Sequence, residues 1–404
     1  MVLPRLPLAG FLLLSCIHVA AQTQDDQPRG RFPVGSAMTI TPSIVVVSGY
    51  DTNFIRTESG EGKAEFWFSP QVEGWLGRGR TRVNFVGALE VASPGQQEEN
   101  VNNYVRAEGQ FGSAALQLRA GAGRRDHYAP PTDFAGFAFG IKSRRVETEL
   151  SAGASATAGR MRASATVEHF ALRYDADAVY EGSSLHDNLN RNMLRAGTGL
   201  EFKVTPLTAL TASFNLFDDR FLYAPERDGN GYEVFAGVGF DSAALLAGYA
   251  RAGILHYKNK LLQTEFTSPS YLLGLQFSRG ALFIDVQGSS DVDYSPDRVG
   301  YYLSNGLDTY AMYQSQRKID LFLRWSVRGI YPRGLVAAFE EERGVQLMKA
   351  GFAVRATRWV RVGAEVERYS YTGAGAFKGT RAIGFLIYGT DRLQRLDRTL
   401  PGDF

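Results

Sequence analysis

The sequence predicts an all-β fold, a transmembrane antiparallel up-and-down barrel of about 18 strands (range about 16 to 20), on three observations. Apolar and polar residues alternate with period two almost to the end, short turns alternate with longer polar loops, and the chain opens on an export signal. The alternation is plainest over 64–92, AEFWFSPQVEGWLGRGRTRVNFVGALEVA. Phe66, Phe68, Pro70, Val72 and Leu76 share one face and Trp67, Ser69, Gln71, Glu73 and Trp75 the other, which is the side-chain period of a strand. After the turn Gly77-Arg78-Gly79-Arg80, Val83, Phe85, Leu89 and Val91 alternate with Arg82, Asn84, Ala88 and Glu90, so the unit reads as a β-hairpin.

Residues 1–21 read as a signal peptide: Arg5 supplies the positive start, 6–20 the apolar run, and Val19-Ala20-Ala21 the small residues before Gln22. Leu13-Leu14-Ser15-Cys16 also resembles a lipidation box, but the apolar run continues past the cysteine. Residues 22–37, polar and patternless, read as a periplasmic leader. The barrel is expected over 38–391. Its strands are placed at 38–50, the 64–92 hairpin, 103–111, 114–124, 146–157, 161–174, 191–204, 208–218, 231–241, 244–257, 269–279, 281–293, 309–327, 333–342, 344–356, 358–371 and 379–391. Short turns such as Thr205-Pro206 alternate with longer connections at 125–142, 219–230, 258–268 and 294–308. Outer-membrane barrels have that rhythm, with tight periplasmic turns and longer external loops. The closing strand is placed over 381–391, with Ile383, Phe385 and Ile387 on one face, and 392–404 reads as a periplasmic tail, because Pro401-Gly402-Asp403 before Phe404 cannot be strand.

A soluble protein would need an opposing sheet or helices to cover the apolar face of so many strands, and no amphipathic helical stretch is present. Lipid covers that face without further sequence, and closure satisfies every backbone donor and acceptor. No apolar run beyond the signal reaches the roughly 18 residues of a membrane helix. The composition fits: 44 Gly, 26 Phe and 19 Tyr against 15 Pro, with a net charge of +2 that offers no footprint for nucleic acid. The one cysteine, Cys16, excludes a disulfide in the processed chain.

The polar face carries Glu147, Glu149, Glu201, Lys203, Arg324, Arg361, Glu365 and Glu367, and with Trp67 and Trp75 these are the expected lumen-lining residues. Their mixed sign argues against a strongly ion-selective pore. Tyr128, Tyr180, Tyr223, Tyr301, Tyr302, Tyr310 and Tyr313 lie at or near predicted loop ends and read as the interfacial girdle; a second reading has some of them join Trp67 and Trp75 as ring faces for sugars. No catalytic or metal site and no cofactor is expected. HExxH, GxSxG, Walker and Rossmann patterns are missing, and His169 with Ser151 or Ser164 makes a poor catalytic pair. Asp291-Val292-Asp293-Tyr294-Ser295 with Asp297 offers oxygen ligands for Ca²⁺, but a plain solvated loop is the preferred reading of them.

The first strand running into Tyr50-Asp51-Thr52-Asn53-Phe54-Ile55-Arg56, followed by a strand with Pro70, resembles the YDxN…R opening of the β-barrel porin family that includes EpsL-like exopolysaccharide proteins. The resemblance singles out Tyr50, Asp51, Asn53 and Arg56. It implies an outer-membrane barrel associated with synthesis or export of a surface polysaccharide, delivered by a periplasmic polysaccharide-export protein; the barrel is expected to be a monomer embedded in lipid, with secretion of the polymer the preferred function. A general diffusion porin and a structural or adhesin barrel plugged by its loops, with 125–142 as the candidate plug, remain the rivals. The topology is testable at once. A cysteine placed within 219–230 should react with an impermeant thiol reagent on intact cells and one at position 79 should not; labelling at 79 would invert the barrel.

Overall fold

The chain is described by a computed structural model. It describes residues 32–34 and 38–389 apart from 53–61, 79–80, 94–99, 130–142, 181, 242–243, 295–300, 316–317, 334–341, 358 and 374–375. The expected signal peptide, most of the expected leader, the expected tail, Asn53, Arg56, Asp297 and the candidate plug loop beyond residue 129 therefore lie outside the described residues.

Eighteen strands close into one antiparallel barrel. Numbered around it they are β1 Met38–Asp51, β2 Lys63–Arg78, β3 Thr81–Ser93, β4 Asn100–Gly112, β5 Leu116–Ala129 and β6 Ser143–Ala158. Then come β7 Met161–Tyr174, β8 Arg191–Lys203, β9 Thr208–Phe221, β10 Gly229–Phe240, β11 Leu246–Asn259 and β12 Glu265–Arg279. The last are β13 Leu282–Tyr294, β14 Tyr301–Gln314, β15 Ile319–Arg333, β16 Arg343–Arg355, β17 Val360–Thr372 and β18 Phe377–Tyr388. Each strand pairs with its sequence neighbours, and β18 closes on β1 through pairs from Ile44↔Tyr388 to Asp51↔Arg381. Where β18 stops, the edge of β1 is taken by a three-residue strand, Phe32–Val34, paired from Phe32↔Ile40 to Val34↔Met38. The supposed patternless leader thus contributes a strand that covers an otherwise open edge.

The strand count agrees with the sequence reading through two compensating departures. The stretch 309–327 is not one strand: β14 begins at Tyr301, inside a predicted loop, and a turn after Gln314 starts β15 at Ile319. The predicted strand 333–342 falls mostly outside the described residues, and β15 ends at Arg333. Most strands also reach beyond their predicted ends. β5 runs to Ala129, which places Arg125 and His127 in the wall rather than in the loop.

Alternation sends one set of side chains outward along most of the wall. Leu150 on β6 is 51 % exposed, and Phe66, Phe68, Leu200, Phe202, Leu321, Leu323 and Val366 are exposed beside it on their strands. Surface of that kind is tolerable only in contact with lipid. Short turns at one end, where Gly159 (φ 59°) and Gly280 (φ 60°) adopt left-handed backbone, fix the register of the hairpins. At the other end the connection between β7 and β8 folds as a two-stranded ribbon and a helix, α1 Leu185–Leu189, capped by Ser184 accepting from the Asp187 N–H. Leu150→Arg should cost about 2–4 kcal/mol in a refolding titration, and Ser151→Arg, one residue on and pointing into the lumen, should cost far less. Equal costs would reverse the faces.

Candidate functional site

The inward faces of the strands form a single lumen whose two sides differ. From β14 round through β18 to β2 the inner wall is buried in layers. Toward the short-turn end Val45, Val47, Trp67, Met312, Phe322, Ala353, Ile383, Phe385 and Ile387 pack together. Toward the long-loop end Tyr302, Ile330, Val345, Tyr369, Tyr371 and Phe377 do the same. Between them runs a belt of charges on directly paired positions: Arg324↔Lys349, Lys349↔Glu367, Glu367↔Arg381 and Arg381↔Asp51. Lys349 is 1 % exposed; its ammonium lies 3.3 Å from Glu365 and 3.6 Å from Glu367. Arg381 reaches Glu367 at 4.0 Å and stacks 4.5 Å over the Trp67 ring. The Tyr369 hydroxyl donates to Asp51 at 2.6 Å, Arg324 bonds Asp308 at 2.8 Å, and Arg361 sits 3.8 Å from Asp320.

The wall from β4 to β10 faces open lumen. Arg106, 41 % exposed at its side chain, spans Glu149 at 3.5 Å and Glu108 at 4.0 Å. Glu147 gathers Arg145 at 2.8 Å, His127 at 3.2 Å and Arg125 at 4.0 Å. Further along come Ser151, Ser155, Thr166, Ser164 and Ser213, with Gly197 and Gly199 paired opposite Thr166 and Ser164. A cavity of about 240 Å³ opens on this side between Thr166, Glu168, Arg195, Asn215, Asp219, Glu233 and Asp291.

Every sequence-predicted lining residue occupies an inward position in this register, but the set divides. Trp75, Glu149, Glu201 and Lys203 are open to the lumen, Lys203 lying 3.8 Å from Asp241, while Glu147 and Arg324 are half-buried in their ion pairs. Trp67, Arg361, Glu365 and Glu367 are buried in the layered wall. Trp67, covered by Arg381, has no ring face left for a sugar. Ile383, Phe385 and Ile387 point inward as well, because Lys378, Thr380, Ala382, Gly384, Leu386 and Tyr388 take the outer face of β18. Of the motif residues, Tyr50 is exposed on the outer face and Asp51 is buried in the belt.

The tyrosines also divide. Tyr223 and Tyr313 are exposed, as a girdle requires, but Tyr301, Tyr302 and Tyr310 are buried inside the barrel. Asp291, Val292 and Tyr294 belong to β13 rather than to a Ca²⁺ loop, and Asp291 instead lies 3.7 Å from Arg195. His169 pairs with Leu150 and Leu194 on the outer face while Ser151 and Ser164 face inward, so no Ser–His pair exists there. Among the described residues no group of His, Cys, Asp and Glu could hold a metal ion.

The family model described as "Putative beta-barrel porin 2" matches residues 30–262 of the 404. The chain belongs to this family. This porin is accordingly a many-pass protein of the outer membrane, a placement that its outward apolar band and closed wall require independently. No curated protein matches it. Solved structures similar to the porin include the outer membrane protein opdK of Pseudomonas aeruginosa, at 11 % identity over 86 % of this chain and 98 % of that one with a TM-score of 0.44. OccK3 (OpdO) of the same organism is similar at 12 % identity, 86 % and 95 % coverage and a TM-score of 0.44. The siderophore receptor PirA of Acinetobacter baumannii gives 7 %, 86 %, 80 % and 0.43.

The two walls should respond differently to loss of a charge. Lys349→Met removes the buried ammonium shared by Glu365 and Glu367 and should cost about 3–5 kcal/mol in unfolding titrations. Arg106→Met, on the wetted wall, should cost no more than about 1 kcal/mol. A small effect at Lys349 would mean that the belt is not part of the packed wall.

Proposed function

We propose that this porin is a conduit for a hydroxyl-rich cargo, and that the cargo is a surface exopolysaccharide leaving the cell. The observation that carries the reading is the division of the lumen. One wall offers carboxylates, guanidiniums and hydroxyls to a passing chain, which matches the alternating donors and acceptors of a carbohydrate. In the long-loop half of the barrel, packed aromatic rings on β9, β11 and β12 and on β13, β14, β17 and β18 occupy part of the lumen. A conduit wide enough for a sugar polymer would leak periplasmic solutes if it stood open, so a closed resting state suits an exporter better than a diffusion pore. The likeness of the Tyr50-Asp51 segment to EpsL-like proteins points the same way. In this reading the barrel works as a monomer, and a periplasmic polysaccharide-export protein delivers the polymer to its short-turn end.

General diffusion of small polar solutes is the second reading, favoured by the porin description of the family. The two separate in a deletion strain. Loss of surface polysaccharide with unchanged uptake of small solutes is the result expected of an exporter. Normal surface polysaccharide with impaired uptake would make the protein a diffusion porin.

A further inference from the structure

The ladder between β12 and β13 is incomplete. It runs from Arg279↔Leu282 to Leu272↔Ser289 and stops, although β12 continues to Glu265 and β13 to Tyr294. Beyond that point β12 stays with β11, and β13 stays with β14 as far as Tyr294↔Tyr301. Pro269 lies in the part of β12 that β13 has left, and a proline, lacking an N–H, is at home on a strand edge.

The register shows where β13 and β14 have gone. Val292, Tyr294 and Tyr301 continue the faces that carry Leu282, Val286 and Tyr313, which point outward lower down. Yet they pack on Phe217, Phe221, Tyr257 and Phe266, which point inward on β9, β11 and β12. Tyr301 stacks on Phe266 at 5.3 Å, and Tyr294 meets Phe221 edge-on at 4.8 Å. The outer face of one panel can touch the inner face of the neighbouring wall only if the panel is folded into the barrel. The opposite face is covered too: Tyr302, 1 % exposed, packs with Ile330, Val345, Tyr369 and Phe377.

Polar contacts hold the panel down. The Tyr294 hydroxyl, on a residue 2 % exposed, donates to Asp219 and receives from Tyr257 at 3.3 Å. Arg191 lies 5.0 Å over the Tyr294 ring, and Arg195 meets Asp291 at 3.7 Å. Adjacent strands are about 4.8 Å apart, so β9 and β13 are roughly 19 Å apart along the wall, and a side-chain bond between them marks an inward fold. At the bend, Gly288, Gly306 and Gly329 stand at nearly the same height on β13, β14 and β15, through Ser289↔Gly306 and Asn305↔Gly329. Backbone without Cβ atoms is where a sheet bends most easily. Tyr271 of β12 closes the seam from outside, its hydroxyl donating to the Gly306 carbonyl at 2.9 Å.

We propose that the inward-folded ends of β13 and β14, residues 289–294 and 301–305, form a gate hinged on the Gly288, Gly306 and Gly329 line and latched by Tyr294 on Asp219 and Asp291 on Arg195. The gate closes the long-loop half of the lumen and opens by swinging back beside β12, whose vacant edge can then take up the missing ladder. The inference rests on the reading of the protein as a conduit and adds the part that regulates passage.

Single-channel recording in planar bilayers with potassium chloride tests it, each variant first shown to be folded by its heat-dependent mobility. Tyr294→Phe and Asp219→Ala each remove one side of the latch and should raise mean conductance several-fold over wild type. An Arg195→Cys/Asp291→Cys double variant should also open more readily; a bifunctional methanethiosulfonate linker should then hold it shut, and reductant should release it. Latch variants that conduct like wild type, or linked protein that conducts like unlinked, would overturn the gate while leaving a conducting protein as a conduit. Failure of wild type and every variant to conduct would instead remove the conduit, and the gate with it.

Discussion

A strand in hydrocarbon has no water to satisfy its edge, so each backbone N–H and C=O must find a partner within the sheet, and the structure depends on that requirement before any other. It forces closure of β18 on β1, recruits Phe32–Val34 to the stretch of β1 that β18 does not reach, and keeps a single register around the whole ring. With register fixed, the two-residue period decides which side chains meet lipid and which meet the lumen. The ladder can be abandoned only where backbone has other partners. The parting of β12 from β13 lies toward the long-loop end, where the Ser290 side chain accepts from the Tyr271 N–H just beyond the last pair of the ladder and the Tyr271 hydroxyl ties β12 to the Gly306 carbonyl of β14.

What could be read from the sequence follows from what is periodic. The outward face was legible because lipid imposes one rule on every strand: Phe66, Leu150, Leu200 and Val366 obey it without regard to their neighbours. The number of strands was legible for the same reason, although the split between β14 and β15 was not. Residues 301–308 read as loop because Tyr301, Tyr302 and Leu303 break the alternation. All three are buried there, having protein on both sides, and a strand wrapped in protein on both faces has no reason to alternate. The failure of the pattern coincides with the element that leaves the wall.

The lumen was legible in direction but not in environment. Alternation put Glu149, Glu365, Glu367 and Arg361 on the same face, and nothing in the sequence separates them. Their difference comes from what stands opposite after closure. Glu149 has Gly123 on the next strand and open lumen above it, whereas Glu365 and Glu367 share Lys349 beneath packed aromatic layers. Trp67 was misjudged for the same reason, since only closure brings Arg381, more than three hundred residues along the chain, onto its ring. The cavity beside Arg195 was beyond sequence reading too, because Asp291 reaches it from five strands away.

A belt of buried charge inside a barrel calls for an explanation, since such pairs seldom add net stability and removing one partner is expensive. Its position supplies one. Arg324, Lys349, Glu367, Arg381 and Asp51 occupy directly paired positions on five successive strands, the last two across the seam where the ends of the chain meet. Among the described strands, β1 and β18 are the adjacent pair that does not follow consecutively in the chain, so no connecting segment ties one to the other. A slip of two residues at this seam would keep every apolar side chain facing lipid, so hydrophobicity alone cannot forbid it. It would, however, set Arg381 opposite Gly49, moving the guanidinium off Trp67 and leaving Asp51 away from Tyr369 in a buried layer. The belt therefore penalises the one error that the alternating pattern leaves unpunished, and a charge network whose stabilising value is small can still determine how the barrel closes.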